Sequence, residues 1–373
     1  MLSPARVALR LLLLLLLPLT GVGGCDALWH NFLAQRSCTS DAACADDQVC
    51  NTATGLCEPA SGDSARAICP VATICWENPL PQGNDLRGVW VESADSVWAV
   101  GTQGLRMRYR AGRWTHAGLT STVSLDAISG VREGGNTTIY AVGDGGLRTR
   151  YSGGRWVDDL NGQGTNLSLH TVFALSSDVA FAGGDVGMVL RRSAGGWEQV
   201  PTPMPGTNVR AIWARDDHTV WATGDLGRLL YYTGSGMMAD EASNPVNTQN
   251  MHALWGDDAS GVWSVGDAGI TLRNMTGGWV TETHAGIVAL HGVWGTSDGT
   301  AHWAAGRVNA ELGQSYGYAG ASAQWVPSGG LTVGALRAVH GSGGNNVWMV
   351  GEKGAIQHWD GARWQSDTMG LQN

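Results

Sequence analysis

The sequence predicts an all-β fold: a seven-bladed β-propeller preceded by a small disulfide-rich N-terminal segment. One phrase recurs along the chain, as VGTQGLRMRYRAGRW at 100–114, VGDGGLRTRYSGGRW at 142–156 and VGDAGITLRNMTGGW at 265–279. Short apolar runs divided by Gly-Asp turns indicate strands, and no helical period competes with them. All seven cysteines lie within the first 75 residues. We therefore expect a signal peptide over 1–24, a Cys-rich spacer over 25–75 and the propeller over 76–373.

The N-terminus has the layout of an export signal. Arg6 and Arg10 flank the start of a leucine-rich run that is too short for an ordinary membrane-spanning helix. The small residues Val22-Gly23-Gly24 and the following Cys25 resemble a bacterial lipobox. That resemblance implies cleavage before Cys25, lipid chains on Cys25 and attachment to a membrane of the cell envelope. The alternative is a plain secreted protein.

The six remaining cysteines form a compact cluster. Clustered cysteines in an exported chain predict a disulfide module, whose pairing the sequence leaves open. A zinc site is the rival interpretation, but the cluster contains no C-x-x-C pair. The stretch over 38–57 resembles the Cys-rich segments that precede repeat domains in myxobacterial surface proteins, which implies a spacer between lipid and propeller. The predicted disulfide residues are Cys38, Cys44, Cys50, Cys57, Cys69 and Cys75.

Seven copies of the repeat fill the rest of the chain. Each holds four short runs, such as LRGVW at 86–90 and VWAVG at 97–101. A repeat of about 40 to 45 residues with four strands is typical of a propeller blade, whose two faces stay dry only against its neighbours. The glycines that anchor the copies are Gly101, Gly143, Gly184, Gly224, Gly266, Gly306 and Gly351. The tryptophans expected to pack between blades are Trp98, Trp221, Trp263, Trp303 and Trp348.

The turns YSGGRW (151–156), RSAGGW (192–197) and HWDGARW (358–364) are similar to those of the Asp-box and photosystem II assembly-factor superfamily of propellers. The resemblance implies the fold. It does not imply one activity, because that superfamily includes enzymes, assembly factors and binding modules. For the closure of the ring two candidates remain open: a strand that starts at Trp76, or residues 364–369, could complete the last blade.

Strands that run antiparallel from the axis outward place two loop types on one face, which we call the upper face. These are the loops between blades and the loops that join second to third strands. The acidic residues expected there are Asp144, Asp185, Asp225, Asp267 and Glu352. Turn chemistry is the first explanation for them, and a cation or a basic partner is the second. The recurring arginines Arg108, Arg150, Arg191 and Arg273 predict structural pairing.

Departures from the repeat are the candidate contact sites. Most copies place a Trp at the start of the fourth strand, whereas copy four has Met237 and then a polar run over 237–250. Copy six carries the longer segment RVNAELGQSYGYAG over 307–320. Loops carry function more often than framework does, although drift in surface loops is the plain alternative. The predicted contact residues on the upper face are Tyr231, Met237, Glu241, Arg307, Glu311, Tyr316 and Tyr318.

The net charge and the absence of several motifs exclude some classes of function. The net charge of −9 argues against nucleic-acid binding, and it becomes more negative when the signal peptide is removed. The sequence lacks the G-x-S-x-G, H-E-x-x-H and P-loop motifs. We expect a lipid-anchored binding or scaffolding module without catalysis, cofactor or metal, whose partner is an envelope protein or a glycan. The alternative is a sialidase-type glycoside hydrolase, with Tyr231 or Tyr232 and Glu241 as the nearest reactive set.

Overall fold

The computed structural model describes residues 48–51, 56–59, 68–71, 74–76, 84–110, 112–117, 122–203, 206–232, 234–239, 248–258, 261–275, 278–320 and 322–366. The signal peptide, Cys25, Cys38, Cys44 and Glu241 lie outside these residues, so the predictions made for them stay predictions. Two compact units divide the chain, Met1–Gly62 and Asp63–Asn373. Within the described ranges, no helix has the length and apolar character needed to cross a membrane.

Two short hairpins precede the repeats. In the first unit, β1 (Gln48–Asn51) pairs with β2 (Leu56–Pro59), and Cys50 lies opposite Cys57 in the register. In the second unit, β3 (Ile68–Val71) pairs with β4 (Ile74–Trp76). Trp76 therefore belongs to a hairpin of its own. The disulfide pairing of this region stays a prediction.

Seven antiparallel sheets follow, each built from four consecutive strands, and blade 6 has one short extra strand. Blade 1 has β5 (Leu86–Ser93), β6 (Ser96–Gly101), β7 (Arg106–Arg110) and β8 (Arg113–His116), and blade 2 has β9 (Leu125–Glu133), β10 (Asn136–Gly143), β11 (Arg148–Ser152) and β12 (Arg155–Asp158). Blade 3 has β13 (Leu169–Ala174), β14 (Ala180–Gly184), β15 (Val189–Ser193) and β16 (Gly196–Gln199); blade 4 has β17 (Val209–Ala214), β18 (Val220–Gly224), β19 (Leu229–Tyr232) and β20 (Met237–Ala239). Blade 5 has β21 (Met251–Asp257), β22 (Gly261–Gly266), β23 (Ile270–Met275) and β24 (Gly278–Thr283); blade 6 has β25 (Ala289–Gly295), β26 (His302–Arg307), β27 (Leu312–Ala319), β28 (Gln324–Pro327) and β29 (Thr332–Val333); blade 7 has β30 (Leu336–Gly343), β31 (Asn346–Gly351), β32 (Ile356–Trp359) and β33 (Trp364–Ser366). Short 3-10 turns join second to third strands at Thr102–Gly104, Asp144–Gly146, Asp185–Gly187, Asp225–Gly227 and Glu352–Gly354.

The sheets form a closed ring around a central channel. The first strand of each blade contacts the first strand of the next, and β30 of blade 7 returns to β5 of blade 1. The seven-bladed propeller predicted from the repeats is confirmed. Of the two candidates for completing the last blade, the structure uses the C-terminal one, because β33 is the fourth strand of blade 7.

The hydrophobic core lies between the blades. A cluster of buried side chains fills each junction, including the junction of blades 7 and 1, where Val97 and Trp114 meet Trp348 and Val350. Trp98 packs on Tyr151 of the next blade, with ring centroids 4.7 Å apart. Large apolar side chains on both faces of a sheet can leave water only in this way. The prediction that the repeated tryptophans pack between blades agrees with these contacts.

Large and small residues alternate near the lower end of the channel. Trp213, Trp255 and Trp294 end the apolar runs of three successive first strands, and each ring covers a glycine of the following blade. A Cβ atom at Gly256 would lie 3.0 Å from the Trp213 ring, and one at Gly341 would lie 2.6 Å from the Trp294 ring. Glycine is required at these positions because the neighbouring indole occupies the space of a side chain.

Candidate functional site

A ring of polar side chains surrounds the upper mouth of the channel. In every blade the first and second strands pair with a register shift that leaves one extra residue in the first strand. Such a bulge re-aims its side chain away from the regular alternation of the sheet. We call these positions the bulge ring; its members are Arg87, Asp126, His170, Arg210, His252, His291 and Arg337.

Acidic residues of the upper-face turns bind four members of the bulge ring. Arg210 binds Asp225 and Arg337 binds Glu352 within their own blades. His252 Nε2 lies 2.9 Å from Asp267 Oδ1. These acids therefore hold the bulge residues in place, which is a role beyond the turn chemistry that the sequence suggested first.

Blades 1 to 3 share one continuous network. The bulge residue of blade 2 is Asp126, which binds Arg87 on one side and His170 Nδ1, at 3.3 Å, on the other. His170 Nε2 lies 2.7 Å from Asp185 Oδ1. Hydrogen bonding to Asp126, opposed by burial and reinforced by Asp185, raises the pKa of His170. Burial acts to raise the pKa of Asp126, but the bonds to His170 and Arg87 outweigh it and lower that pKa.

Blade 6 breaks this pattern. Its bulge residue is His291, and Arg307 stands where blades 2, 3, 4, 5 and 7 have an acid. The Nε2 atom of His291 and the Nε atom of Arg307 are buried and have no hydrogen-bond partner among the described residues. Burial, with the charges of Arg337, His252 and Arg307, lowers the pKa of His291 to about 2, so this imidazole is neutral. Blade 6 thus has an arginine in place of the turn acid that binds the bulge residue in blades 3, 4, 5 and 7.

Apolar side chains stand at the tips of two adjacent upper-face turns. Val186 and Leu226 occupy the middle of their turns with φ of 57° and 60°, a region where Gly145 of blade 2 sits without strain. They expose 52% and 56% of their surface. Their backbone N–H groups donate to the side chains of Asn208 and Asn250, which precede the first strand of the next blade. The turns are therefore fixed in place while their side chains point into solvent.

The lower face has an open cavity of about 570 Å³ over blades 4 to 7. The edges of Trp213, Trp255 and Trp294 line it together with the carboxylates of Asp257 and Asp298. Its aromatic walls are the inter-blade tryptophans described above. Their rings are mostly committed to packing on the following blade.

The predicted contact residues do not form one patch. Met237 is 3% exposed and Tyr316 is 2% exposed, and both lie in strands of the core. Tyr318 donates to Glu282 of blade 5 at 2.9 Å, and Tyr231 packs on Trp221, so both rings make contacts within the propeller. The placement of 307–320 in an upper-face loop was wrong, because β27 begins at Leu312. The extra residues lengthen this strand, which also pairs with β29.

Two of the predicted residues do lie on the upper face. Glu311 is exposed in the turn between β26 and β27, and Arg307 ends β26 at the channel mouth. The bulge ring itself was missed. Its signal in the sequence is the polar second residue of otherwise apolar runs such as LRGVW and MHALW, where strict alternation was assumed.

The recurring arginines of the third strands have structural partners, as predicted. Arg108 and Arg273 lie over the rings of Trp98 and Trp263, with centroid distances of 4.5 and 4.0 Å. Where the series is interrupted, His358 stacks on Trp348 instead, at 4.1 Å. No set of three or more metal-binding side chains occurs within the ranges that the structure covers.

Comparisons with known proteins define the class of fold. YCF48 bound to a D1 peptide is similar to this chain with a TM-score of 0.59 and 14% identity, over 75% of this chain and 94% of that one. YCF48 from Cyanidioschyzon merolae gives a TM-score of 0.58 and 16% identity, over 75% and 97% of the two chains. The WD40 propeller domain of Doa1 gives 0.60 and 10%, over 76% and 94%. At these identities the likeness shows a shared propeller fold, like that of the photosystem II assembly factor. No protein-family model matches the chain, and comparison with curated protein sequences gave no match.

Proposed function

We propose that this protein is a non-catalytic propeller that binds a protein partner through its upper face and is held at the cell envelope by lipid on Cys25. The observation that carries the binding role is the exposure of Val186 and Leu226 at the tips of neighbouring turns. Positive φ strains both residues, and water surrounds their apolar side chains. Within the described residues the two side chains stay largely exposed to water, and a partner that buries them would offset these costs.

A protein is the partner class that this surface fits best. Two adjacent aliphatic side chains on fixed turns offer apolar contact, and the polar bulge ring lies beside them. YCF48, which shares the fold, has been solved with a bound D1 peptide, so the architecture is compatible with holding a peptide. A glycan partner would instead require exposed aromatic rings, and Tyr316 and Tyr318 are engaged in the core.

The binding role is tested with glycine variants that keep the turn conformation. We expect Val186→Gly with Leu226→Gly to fold normally, since glycine adopts this conformation without strain. The matched control is Lys353→Gly, which makes the same backbone change at the equivalent turn of blade 7 but removes no apolar side chain. Wild type and control should capture the same proteins from solubilised envelope, quantified by mass spectrometry, and the double variant should lose them. Equal capture by all three variants would refute the proposal.

The envelope attachment has its own test. We expect Cys25→Ser in the full-length chain to move the protein from the membrane pellet to the soluble fraction, because lipid can no longer be attached. A variant that still sediments after a high-salt wash would show that the anchor is not on Cys25.

The non-catalytic part of the proposal is tested on a panel of aryl glycosides. Tyr231 lies on a third strand against Trp221, away from the first strands that surround the channel. Turnover by the wild type that is lost in Tyr231→Phe would favour the sialidase-type alternative over a binding module.

A further inference from the structure

We propose that blade 6 binds a carboxylate group of a ligand at the upper channel mouth, through Arg307 and His291. The ligand carboxylate would take the place that an acidic side chain of the protein itself fills in four other blades. The site is distinct from the turn tips of Val186 and Leu226, and its test needs no partner protein.

The repeat defines what is missing in blade 6. In blades 3, 4, 5 and 7 the residue after the anchor glycine is an acid that contacts the bulge residue of the same blade. Arg307 follows Gly306 at this position and reverses its charge, and it is the last residue of β26. The substitution exchanges a built-in acceptor for a donor. Blade 6 therefore presents two donor side chains where its relatives present a donor with an acceptor.

Two polar side-chain atoms of blade 6 at the channel mouth have no hydrogen-bond partner among the described residues. Arg307 Nε and His291 Nε2 are both buried without partners in the described part of the chain. One acid of the neighbouring blade 7 is Glu352: burial acts to raise its pKa, but the bonds from Ala335 and Arg337 and the charges of Arg337 and Arg307 outweigh burial and lower it. Its oxygens are already in use, because Oε1 binds Arg337 and Oε2 accepts the backbone N–H of Ala335 at 3.0 Å. A buried donor without an acceptor destabilises the folded protein, and a bound acceptor removes that cost.

The chemistry of the two donors selects an oxyanion of carboxylate size. A guanidinium donates two parallel hydrogen bonds to a carboxylate, and a neutral imidazole protonated at Nε2 adds a third donor. The ligand would meet Arg307, which stands at the position that Asp185, Asp225, Asp267 and Glu352 hold in their own blades. A side-chain or C-terminal carboxylate of a peptide and a free small carboxylate share this chemistry, and phosphate is the oxyanion that the test must separate.

The experiment measures the melting temperature of the full chain at increasing concentrations of sodium acetate. Sodium acetate replaces sodium chloride in equal amounts, so the ionic strength stays constant. The key variant is Arg307→Asp, which restores the acid of the other blades and should melt higher than wild type in acetate-free buffer. Its matched control is Arg155→Asp, the same charge change on the exposed fourth strand of blade 2. Arg307→Gln keeps a neutral donor and serves as a second variant.

Acetate should raise the melting temperature of wild type and of Arg155→Asp in a saturable way. The apparent affinity of Arg307→Gln for acetate should be at least about tenfold lower than that of wild type, as expected for loss of a charge-assisted hydrogen bond. Arg307→Asp should show no rise. A rise as large in Arg307→Asp as in wild type, no saturable rise in wild type, or a lower melting point of Arg307→Asp without acetate would each refute the site. An equal response to inorganic phosphate would refute selectivity for a carboxylate. These outcomes leave the partner-binding proposal untouched, since no partner is present.

Discussion

The carboxylate of Asp85 accepts the backbone N–H of Lys353 at 2.9 Å, and this bond joins blade 1 to blade 7. The same relationship recurs between neighbouring blades. At five of the seven junctions the side chain of the residue before the first strand caps the turn of the preceding blade, as Asn208 does for Val186 at 3.0 Å and Asn250 does for Leu226 at 3.2 Å. The junction of blades 1 and 7 is special because no loop of the chain crosses it. There the cap, with the bond from the Val91 N–H to His340 Nδ1 at 3.1 Å, assists the hydrophobic contacts in closing the ring.

Asp85→Ala should lower the free energy of unfolding by about 1 kcal/mol, the usual net value of one hydrogen bond. We expect faster amide hydrogen exchange in β5 and β31, on the two sides of the junction. Asn208→Ala should cost a similar amount but affect the junction of blades 3 and 4. The control is Asp95→Ala, an exposed acid in the lower-face turn of blade 1. Exchange that increases uniformly around the ring would contradict a local closing role.

Gly256→Ala should destabilise the propeller by about 1 kcal/mol or more, because the added methyl group would meet the Trp213 ring at 3.0 Å. The measurement is chemical denaturation of both single variants and of the double variant with Trp213→Phe. The smaller ring should accommodate the methyl group, so the double variant should lose less than the sum of the single variants. Additive losses would show that the two positions are not coupled.

Asp159→Ala should cost about 2–4 kcal/mol, since it leaves Nε of Arg192 and Nε1 of Trp197 buried without an acceptor, while Asp178 still binds the Nη1 atom of Arg192. Asp159 Oδ2 accepts hydrogen bonds from Arg192 Nε at 2.9 Å and from Trp197 Nε1 at 3.0 Å, and all three side chains are buried. Asp158→Ala, at the exposed neighbouring residue, is the control and should change stability little. The measurement is the denaturant midpoint of each variant, and similar losses of stability in Asp159→Ala and Asp158→Ala would contradict the prediction.

The stability that His170 contributes should depend on pH. Its pKa is raised in the fold, so its contribution is complete below the unfolded value of about 6.5 and is lost as pH rises through the folded value. His170→Gln should therefore reduce the free energy of unfolding more at about pH 6 than at about pH 9. The control is Gln199→Ala, an exposed residue of β16 whose side chain has no titratable group, so the change should have the same effect in both conditions. An effect of His170→Gln that is equal at both pH values would mean that the Asp126–His170–Asp185 network acts without protonation.

The blade count could be predicted because it rests on local patterns that repeat. The anchor glycines, the turns after the second strands and the tryptophans between blades each depend on neighbours within one repeat. The predicted contact patch differs from the structure for another reason. Tyr316 and Tyr318 were assigned to a loop because copy six is longer, but pairing between β27 and β29 turned the extra length into strand. Whether additional residues form a loop or a longer strand depends on a partner distant in sequence.

The sequence by itself determined the class of fold, the number of blades and the order of strands, because blades that cannot bury both faces alone must stack in a ring. Tertiary structure decided where the polar groups meet. A bulge in each first strand turns one side chain toward the channel, and the effect depends on the register between two strands rather than on composition. It also decided which charges remain unpaired. Arg307 differs from its counterparts by one substitution, but its Nε has no acceptor among the described residues, and Glu352 of the next blade is held by Arg337 and Ala335 of its own blade.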